Sequence, residues 1–252
     1  MNRRTLLKSL AGLALCPVCA SAGFSAEAMH WSYEGAAGPA KWGDLDAASK
    51  VCSLGSQQSP IDLGVALKSQ LPPLVIAWNK TANTIINNGH TIQLDFGPGS
   101  TLAFGGDSYT LLQLHFHRPS EHLIDGKNFP MEAHFVHRNA AGGGLAVLGV
   151  LLAAGKPNET FSKIVSTMPS SPGPAIKADP AIDPNGLLPT QRNYYRYAGS
   201  LTTPPCSEIV EWLVLTDTME VADTDIAQFT TLYPMNARPA QKDNRRYVLR
   251  SS

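Results

Sequence analysis

A repeated pattern between residues 74 and 154 constrains the fold more than any other feature. Short segments there are wholly apolar or alternate apolar with polar residues, and Gly or Asn separates them: LVIAW, NTIINNG, TIQLDF, STLAFGG, YTLLQLHFH, MEAHFVHRN and LAVLGVLLAA. Such segments are typical of consecutive β-strands in a largely antiparallel sheet. Three consecutive glycines within residues 140–147 allow positive φ angles, so we predict a hairpin turn there.

Helical signals are few. Residues 158–168 and 223–232 each begin at a capping residue and end near a proline, which predicts two short helices. Residues 30–60 predict a long irregular lead-in, and the proline-rich residues 169–190 predict a surface connection. The strands after that connection need partners that only the earlier strands provide, so we expect one domain over residues 29–252.

The composition excludes several classes of function. The chain has 252 residues, 43% of them hydrophobic, and can bury a substantial core. Charged residues make up 16% and the formal net charge is zero, so nothing predicts a nucleic-acid groove or a polybasic membrane surface. We expect a small-molecule partner and no nucleic acid.

The N-terminus, MNRRTLLKSLAGLALCPVCASAG, has basic residues followed by an apolar run from Leu10 to Ala20. This predicts a cleavable export signal over residues 1–22, with a second cleavage option that extends it to position 28. The run is too short for a permanent membrane anchor, so we expect a periplasmic or secreted protein. Arg3 and Arg4 resemble a twin-arginine signal, but general secretory signals also carry such pairs, and the export route stays open.

Five of the seven histidines lie in two neighbouring strand segments, QLHFHRPSEH and MEAHFVH. Residues two apart in a strand share a face, so His115 and His117 present two imidazoles at about the separation that a tetrahedral metal requires. If the two strands pair, His134 becomes the third ligand, because His137 faces the other way. Three imidazoles suit zinc and leave a fourth position open for water.

A catalytic metal site also needs groups that orient its ligands. Gln113 lies two residues before His115, and Glu132 lies two residues before His134, each on the same face as its histidine. Both side chains can accept the remaining ring N–H and fix the tautomer. The other two histidines of these segments are expected to be buried hydrogen-bonding residues: His122 and His137.

Two cysteines remain once the signal peptide is removed, Cys52 and Cys206. An even number of cysteines in an oxidising compartment predicts one disulfide, and two buried free thiols are the alternative. A bridge that closes so long a loop contributes roughly 5 kcal/mol in the chain-entropy model.

Seven segments, in order and spacing, resemble the α-class carbonic anhydrases, and in particular their exported bacterial branch. They are SQQSPIDL (56–63), NNGHTIQLDF (87–96), QLHFHRPSEH (113–122), MEAHFVH (131–137), LAVLGVLL (145–152), GSLTTPPCSE (199–208) and NARPAQ (236–241). The resemblance covers roughly residues 30–250. It implies a mainly β (α+β) fold with a single large, twisted, mostly antiparallel sheet and short peripheral helices. It also implies zinc-dependent, reversible hydration of carbon dioxide to bicarbonate and a proton.

The resemblance implies a role for each matching residue. The zinc ligands would be His115, His117 and His134. Thr202 matches a threonine that accepts a hydrogen bond from the zinc-bound hydroxide and donates its own to a carboxylate, which Glu121 matches. Thr203 matches a residue that contacts bicarbonate, and His90 matches the proton shuttle, in an Asn-Asn-Gly loop that allows it to swing.

Further matches imply the walls of the site. The hydrophilic side, where ordered waters connect zinc with the shuttle, would be lined by Tyr33, Asn88 and Gln93. Carbon dioxide is apolar, so its side of the site is apolar too, with Val136, Val147, Leu201, Val210 and Trp212. Cys52 and Cys206 match the disulfide of exported members.

Three alternatives compete with the enzyme. A metal-free binding relative would have lost ligands that are intact here, and a structural or storage zinc site would close its fourth position with a protein ligand that strand parity does not supply. Esterase chemistry is expected only as a side activity. Arg118 and the short link from His117 to Glu121 depart from the better-known animal members, which leaves inhibitor preference open. We expect a monomer or a homodimer.

Overall fold

The computed structural model describes residues 31–79 and 81–252. The predicted export signal and its cleavage site lie outside the described residues. Within the described part, no helix is long and apolar enough to cross a membrane.

In residues 31–79 and 81–252 the chain forms thirteen strands and three α-helices. The strands are β1 (Leu67–Ser69), β2 (Val75–Ala77), β3 (Thr84–Asn87), β4 (Ile92–Asp95), β5 (Thr101–Phe104), β6 (Asp107–His117), β7 (Met131–Asn139), β8 (Leu145–Ala154), β9 (Ile176–Lys177), β10 (Tyr194–Gly199), β11 (Val210–Leu215), β12 (Met219–Val221) and β13 (Leu249–Ser251). The helices are α1 (Val51–Leu54), α2 (Glu159–Thr167) and α3 (Asp223–Leu232).

These strands join one sheet, whose main path runs β1-β13-β10-β11-β8-β7-β6-β4-β3-β9. Most neighbouring strands are antiparallel, but β1–β13, β8–β11 and β8–β12 are parallel pairs. The mainly β prediction, with one large and mostly antiparallel sheet, is confirmed, and the parallel pairs make the sheet mixed. The predicted glycine-rich turn connects β7 with β8, and Gly142 and Gly143 both adopt φ 92° in it.

The central strands β6, β7 and β8 divide their side chains between two apolar layers, because successive residues of a strand face opposite sides. On β7, Ala133 and Phe135 join the larger core, whereas Val136 joins a smaller one that is built around Trp212. The larger core contains the buried faces of α2 and α3, including Phe161 and Phe229. One face of the sheet is therefore covered by helices, and the other carries His115, His117 and His134.

Both predicted helices form within one residue of their expected ends. Asn158 caps α2 by accepting a hydrogen bond from the Phe161 backbone at 3.0 Å. Residues 169–190 form the predicted connection, but parts of it are not on the surface. β9 in this connection pairs with β3, and Ile182 and Leu187 are fully buried in the larger core. Apolar residues between the prolines thus anchor the connection to the domain.

The lead-in is irregular, as predicted. Its 3-10 segments are Gly35–Ala37, Pro39–Asp44 and Ala48–Lys50, and α1 follows directly. Trp42 is fully buried at its centre and packs beside a disulfide between Cys52 and Cys206. The predicted disulfide is therefore present, and it ties the lead-in to the chain that follows β10.

Candidate metal centre and active-site cavity

Strand pairing brings three imidazoles together on one face of the sheet. β6 and β7 are antiparallel, and His115 lies directly opposite His134. His117 is two residues further along β6, on the same face. The ring centroids of the three histidines lie 4.5 to 5.2 Å apart, and one nitrogen of each lies within 4.8 Å of the other two. The sheet therefore holds three potential ligands around a common point.

One nitrogen of each imidazole is engaged away from that point. The Nδ1 of His115 lies 2.8 Å from Gln113 Oε1, and the Nε2 of His134 lies 2.9 Å from Glu132 Oε1. These are the contacts expected from strand parity. Because an amide or carboxylate oxygen only accepts, each of these ring nitrogens donates, and the opposite nitrogen carries a lone pair toward the shared point.

His117 is oriented by a group that the sequence did not reveal. Its Nδ1 donates to the main-chain carbonyl of Asn236 at 2.8 Å. Its Nε2 is buried and has no hydrogen-bond partner in the described chain. A buried nitrogen lone pair without a partner is costly unless a ligand completes it, so this atom fits a metal ion.

Burial also sets the charge of the three ligands. It lowers the pKa of His117 to about 4 and lowers the pKa values of His115 and His134 as well. Repulsion from the neighbouring imidazoles, when these are charged, lowers the pKa of His115 further. All three are therefore neutral near pH 7, which is the form that binds a metal. The donor set, three neutral imidazoles with one converging nitrogen each, fits zinc.

Glu132 is the centre of a buried hydrogen-bond network behind the ligands. Its Oε1 also accepts from His122 Nδ1 at 2.7 Å, and its Oε2 accepts from the backbone N–H groups of Glu121 and His122, both at 2.9 Å. Burial raises the pKa of Glu132, but the neighbouring His122 and His134 outweigh it and hold that pKa well below its usual range. Glu132 is thus an ionised acceptor that fixes the His134 tautomer.

The two remaining histidines of these strands are buried and hydrogen-bonded, as expected. His122 Nε2 lies 2.6 Å from the Tyr197 hydroxyl. His137 faces the larger core, where its Nε2 accepts from Trp78 Nε1 at 3.1 Å. A glycine gives Glu132 its space: a Cβ on Gly149, opposite His134 on β8, would lie 3.0 Å from Glu132 Oε1.

Glu121 lies beside the three ligands, fully buried. Its Oε1 accepts from the Arg238 backbone N–H at 2.8 Å, and its Oε2 lies 3.5 Å from His117 Nε2. Burial raises the pKa of this carboxyl to about 7, and His134 and then the Thr202 hydroxyl counteract the rise. Glu121 Oε2 has no hydrogen-bond partner among the described residues. The nearby Thr202 hydroxyl nevertheless favours the ionised form of the carboxyl.

A cavity of about 110 Å³ opens in front of the ligands. The three residues expected on its hydrophilic side all line it, together with Thr203 and His90: Tyr33, Asn88 and Gln93. Burial raises the pKa of Tyr33 well above its usual value, so its hydroxyl stays a donor.

The His90 ring stacks on Trp31, with centroids 3.7 Å apart and planes at 8°. The turn that carries it is shaped by Asn88, whose Oδ1 accepts from the backbone N–H groups of His90 and Thr91 at 2.9 Å each. The stack with Trp31 was not foreseen, since the two residues are far apart in sequence and no motif connects them. His90 therefore lies at the cavity with its ring held flat against an indole.

The residues expected to form the apolar wall lie in one cluster on the ligand face of the sheet. Four of the expected residues are buried members of this cluster: Val136, Val147, Val210 and Trp212. The fifth, Leu201, is partly buried and packs against the cluster. Trp212 contacts a ligand directly, with its ring centroid 4.8 Å from that of His134. The apolar cluster therefore reaches the candidate site at His134.

The disulfide lies behind the loop that carries the two threonines. Cys52 and Cys206 have their Cα atoms 5.0 Å apart across a sequence separation of 154. The Cys206 N–H donates to the Thr203 carbonyl at 2.8 Å, and its carbonyl accepts from Gln58 Nε2 at 3.1 Å. The bridge therefore anchors the turn at residues 202–206 to the lead-in.

Comparison with known proteins gives a consistent result. Residues 37–252 match the family model described as eukaryotic-type carbonic anhydrase. A carbonic anhydrase of Pectobacterium carotovorum is 42% identical over 233 residues, which cover 92% of this chain and 95% of that protein. The α-carbonic anhydrase of Thermovibrio ammonificans, solved with the inhibitor sulfanilamide, superposes with a TM-score of 0.85 at 42% identity and covers 87% of this chain and 98% of its own. That of Photobacterium profundum gives 0.82 at 38% identity, over 87% of this chain and all of its own.

Proposed function

This chain belongs to the eukaryotic-type, or α-class, carbonic anhydrases, and we propose that it hydrates carbon dioxide reversibly to bicarbonate and a proton with one zinc ion. The observation that carries the proposal is the convergence of three neutral imidazole nitrogens, each oriented by a hydrogen bond at its other nitrogen. Such a site has three protein ligands and one open position, the arrangement of catalytic zinc.

His115 and His117 would bind the metal through Nε2 and His134 through Nδ1, because the other nitrogens are engaged. Bound there, zinc supplies a Lewis acid that lowers the pKa of a water to about 7, the value known for carbonic anhydrases in general. Gln113, Glu132 and the Asn236 carbonyl hold the ligands in their tautomers. Their removal would weaken metal binding, on the order of 10- to 100-fold for such partners.

Thr202 and Glu121 orient the attacking water. In its ionised form, which predominates above its pKa of about 7, Glu121 can only accept, so the Thr202 hydroxyl directs its proton to the carboxylate and keeps a lone pair free to accept. That lone pair accepts a proton of the water and leaves one of the water's own lone pairs aimed at the substrate carbon. Fixing this geometry before the reaction removes an entropic cost from the barrier.

The apolar wall receives carbon dioxide. The five residues named for this role offer no donor to an apolar molecule, apart from the Trp212 indole, whose N–H is already engaged by the Ser200 carbonyl at 3.0 Å. Thr203 lines the cavity beside His115 and His117 and can hydrogen-bond the charged product. Substrate and product would thus occupy surfaces of matching polarity.

His90 moves the proton to buffer. An imidazole titrates close to neutral pH, which suits a group that must take up and release a proton in each cycle. It lines the same cavity as His115 and His117, together with Tyr33, Asn88 and Gln93. These side chains can order the waters that connect the two ends.

Export is the setting that suits the disulfide. Bridges such as Cys52–Cys206 persist in oxidising compartments. We propose that the chain acts in the periplasm or outside the cell after removal of residues 1–22.

Zinc content in a pair of matched variants tests the proposal. His134→Gln removes one ligand, whereas His137→Gln changes an equally buried histidine of the same strand that faces the other core. We expect one zinc per chain and full activity in the wild type and in His137→Gln, and neither in His134→Gln. Retained zinc in His134→Gln, or loss in both variants, would refute the assignment of the ligands.

A further inference from the structure

One segment after α3, residues 233–238, contacts several parts of the candidate site at once. It contains the start of the NARPAQ motif, whose main chain bonds both His117 and Glu121. The Arg238 backbone N–H holds Glu121, and the Tyr233 hydroxyl donates to the Asn87 side chain and lies 3.3 Å from the Thr91 carbonyl. The residue between them, Asn236, makes the most contacts.

Asn236 is 1% exposed, and each of its polar atoms is hydrogen-bonded. Its carbonyl accepts from His117, as described, and its N–H and Oδ1 pair with the Arg118 carbonyl and N–H at 2.8 and 2.7 Å. Its side-chain Nδ2 donates twice, to the Phe116 carbonyl on β6 and to the His90 carbonyl, both at 2.9 Å. The amide therefore joins the metal-binding strand to the loop of the proposed shuttle.

The geometry of an amide makes this a stiff connection. The two N–H bonds of Nδ2 lie in one plane at a fixed angle, so the two carbonyls that accept them are fixed relative to each other. Phe116 lies between the two β6 ligands, so the main chain of His90 is held against the strand that carries them. The hydrogen bonds of Asn88 shape the turn. The Thr91 hydroxyl attaches the far end of the turn to β6, because it donates to the Phe116 carbonyl at 2.6 Å and accepts from the Phe116 N–H at 3.2 Å. The Asn236 amide adds the attachment at His90 itself, the residue that carries the imidazole.

We infer that Asn236 is a positioning residue for proton transfer, whose side-chain amide sets the place of the His90 imidazole relative to the ligand strand. The inference rests on the proposed role of His90. The contact of Asn236 with His117 uses the main-chain carbonyl, which any residue at this position retains. A change of the side chain alone therefore loosens the shuttle loop and leaves the hydrogen bond to the ligand in place.

Asn236→Asp and Asn236→Ala test this. Aspartate has nearly the same shape but, when ionised, cannot donate, and alanine adds no charge. We expect kcat in weak buffer to fall on the order of 10-fold, less than the ~100-fold that a 1 Å displacement of a reacting group can cost. We expect kcat/KM to change less than about 2-fold, because it reports the steps up to hydration. Added imidazole should restore kcat.

The matched control is Thr160→Val. Thr160 lies on α2, away from the cavity, and is also a buried polar residue, 8% exposed. Its hydroxyl donates to the Asp183 carbonyl at 3.1 Å. It should lower stability without changing either kinetic constant. A parallel loss of kcat in this variant would mean that the assay reports weakened folding, and would overturn the inference.

A second background separates this inference from the proposed function. In His90→Ala, the further change Asn236→Asp should not slow proton transfer again, since it acts through His90. If Asn236→Asp lowers kcat in the His90→Ala background as much as it does in the wild type, the effect does not act through His90 and the inference is overturned. A loss of zinc or of kcat/KM in the single Asn236 variants would place the effect at His117 and would also overturn it. If His90→Ala alone leaves kcat unchanged, the proposed shuttle itself is wrong.

Tyr233→Phe keeps the inference testable if both Asn236 variants fail to fold. It removes hydrogen bonds to the same turn and touches no contact of a metal ligand. The same selective loss of kcat in weak buffer is expected, with rescue by imidazole. Unchanged kcat in folded Tyr233→Phe would then overturn the coupling between this segment and the shuttle.

Discussion

His137 offers a direct test of how burial controls the charge of histidines in this sheet. It is fully buried on the face opposite the cavity, and it accepts a hydrogen bond from the Trp78 indole at 3.1 Å. Burial lowers the pKa of its imidazole from 6.5 to about 3. His137→Gln keeps an acceptor for the indole but cannot take up a proton.

The direction of the pH effect follows from that depressed pKa. Above pH 6.5 the residue is neutral in both the folded and the unfolded chain, so its titration has no effect on stability. As pH falls, the unfolded chain binds a proton and the folded chain does not, so stability is lost progressively toward pH 3. At pH 5 this amounts to about 2 kcal/mol, from ~1.5 pH units at ~1.4 kcal/mol each.

Urea unfolding of zinc-stripped wild type and His137→Gln at pH 8 and pH 5 measures the effect. Both proteins carry the same metal-ligand histidines, whose titration therefore cancels in the comparison. We expect the free energy of unfolding of the wild type to fall by about 2 kcal/mol more than that of the variant. Equal losses in the two proteins would refute the reasoning that buried His137 stays neutral in the folded state.

Three further predictions concern the site. His90→Ala should slow turnover in weak buffer on the order of 10-fold or more, with recovery in imidazole, and unchanged stopped-flow rates would reject the shuttle. Thr202→Val should lower kcat/KM on the order of 100-fold, because the water loses its orienting acceptor; the hydration rate in Glu121→Gln should fall too, and a wild-type rate in either would contradict the orienting pair. Reduction of Cys52–Cys206 should lower the free energy of unfolding by about 3 to 5 kcal/mol in urea titrations, and an unchanged midpoint would mean that the bridge contributes nothing.

The ligand face could be predicted because a strand has a period of two residues. His115 and His117 had to share a side, and the same rule chose His134 over His137 once the two strands were assumed to pair. The rule also placed Gln113 and Glu132 next to their histidines. Local side-chain chemistry combined with strand parity thus predicts most of the candidate metal centre.

Other parts of the site leave no such trace in the sequence. The partner of His117 is a main-chain carbonyl, which every residue type offers, so nothing about Asn236 as an amino acid announces it. The stack of Trp31 on His90 joins residues far apart in sequence. The pairing of β9 with β3 escaped prediction because prolines dominate the local pattern there, while the apolar residues that anchor the segment are scattered between them.

Stopped-flow measurement of carbon dioxide hydration tests whether this chain is a zinc-dependent carbonic anhydrase. The chain without residues 1–22 would be assayed with a pH indicator as purified, after zinc removal by a chelator, and after zinc is returned. We expect fast hydration that disappears when the metal is removed and returns when zinc is added. A folded, zinc-loaded protein that does not hydrate carbon dioxide would contradict this expectation.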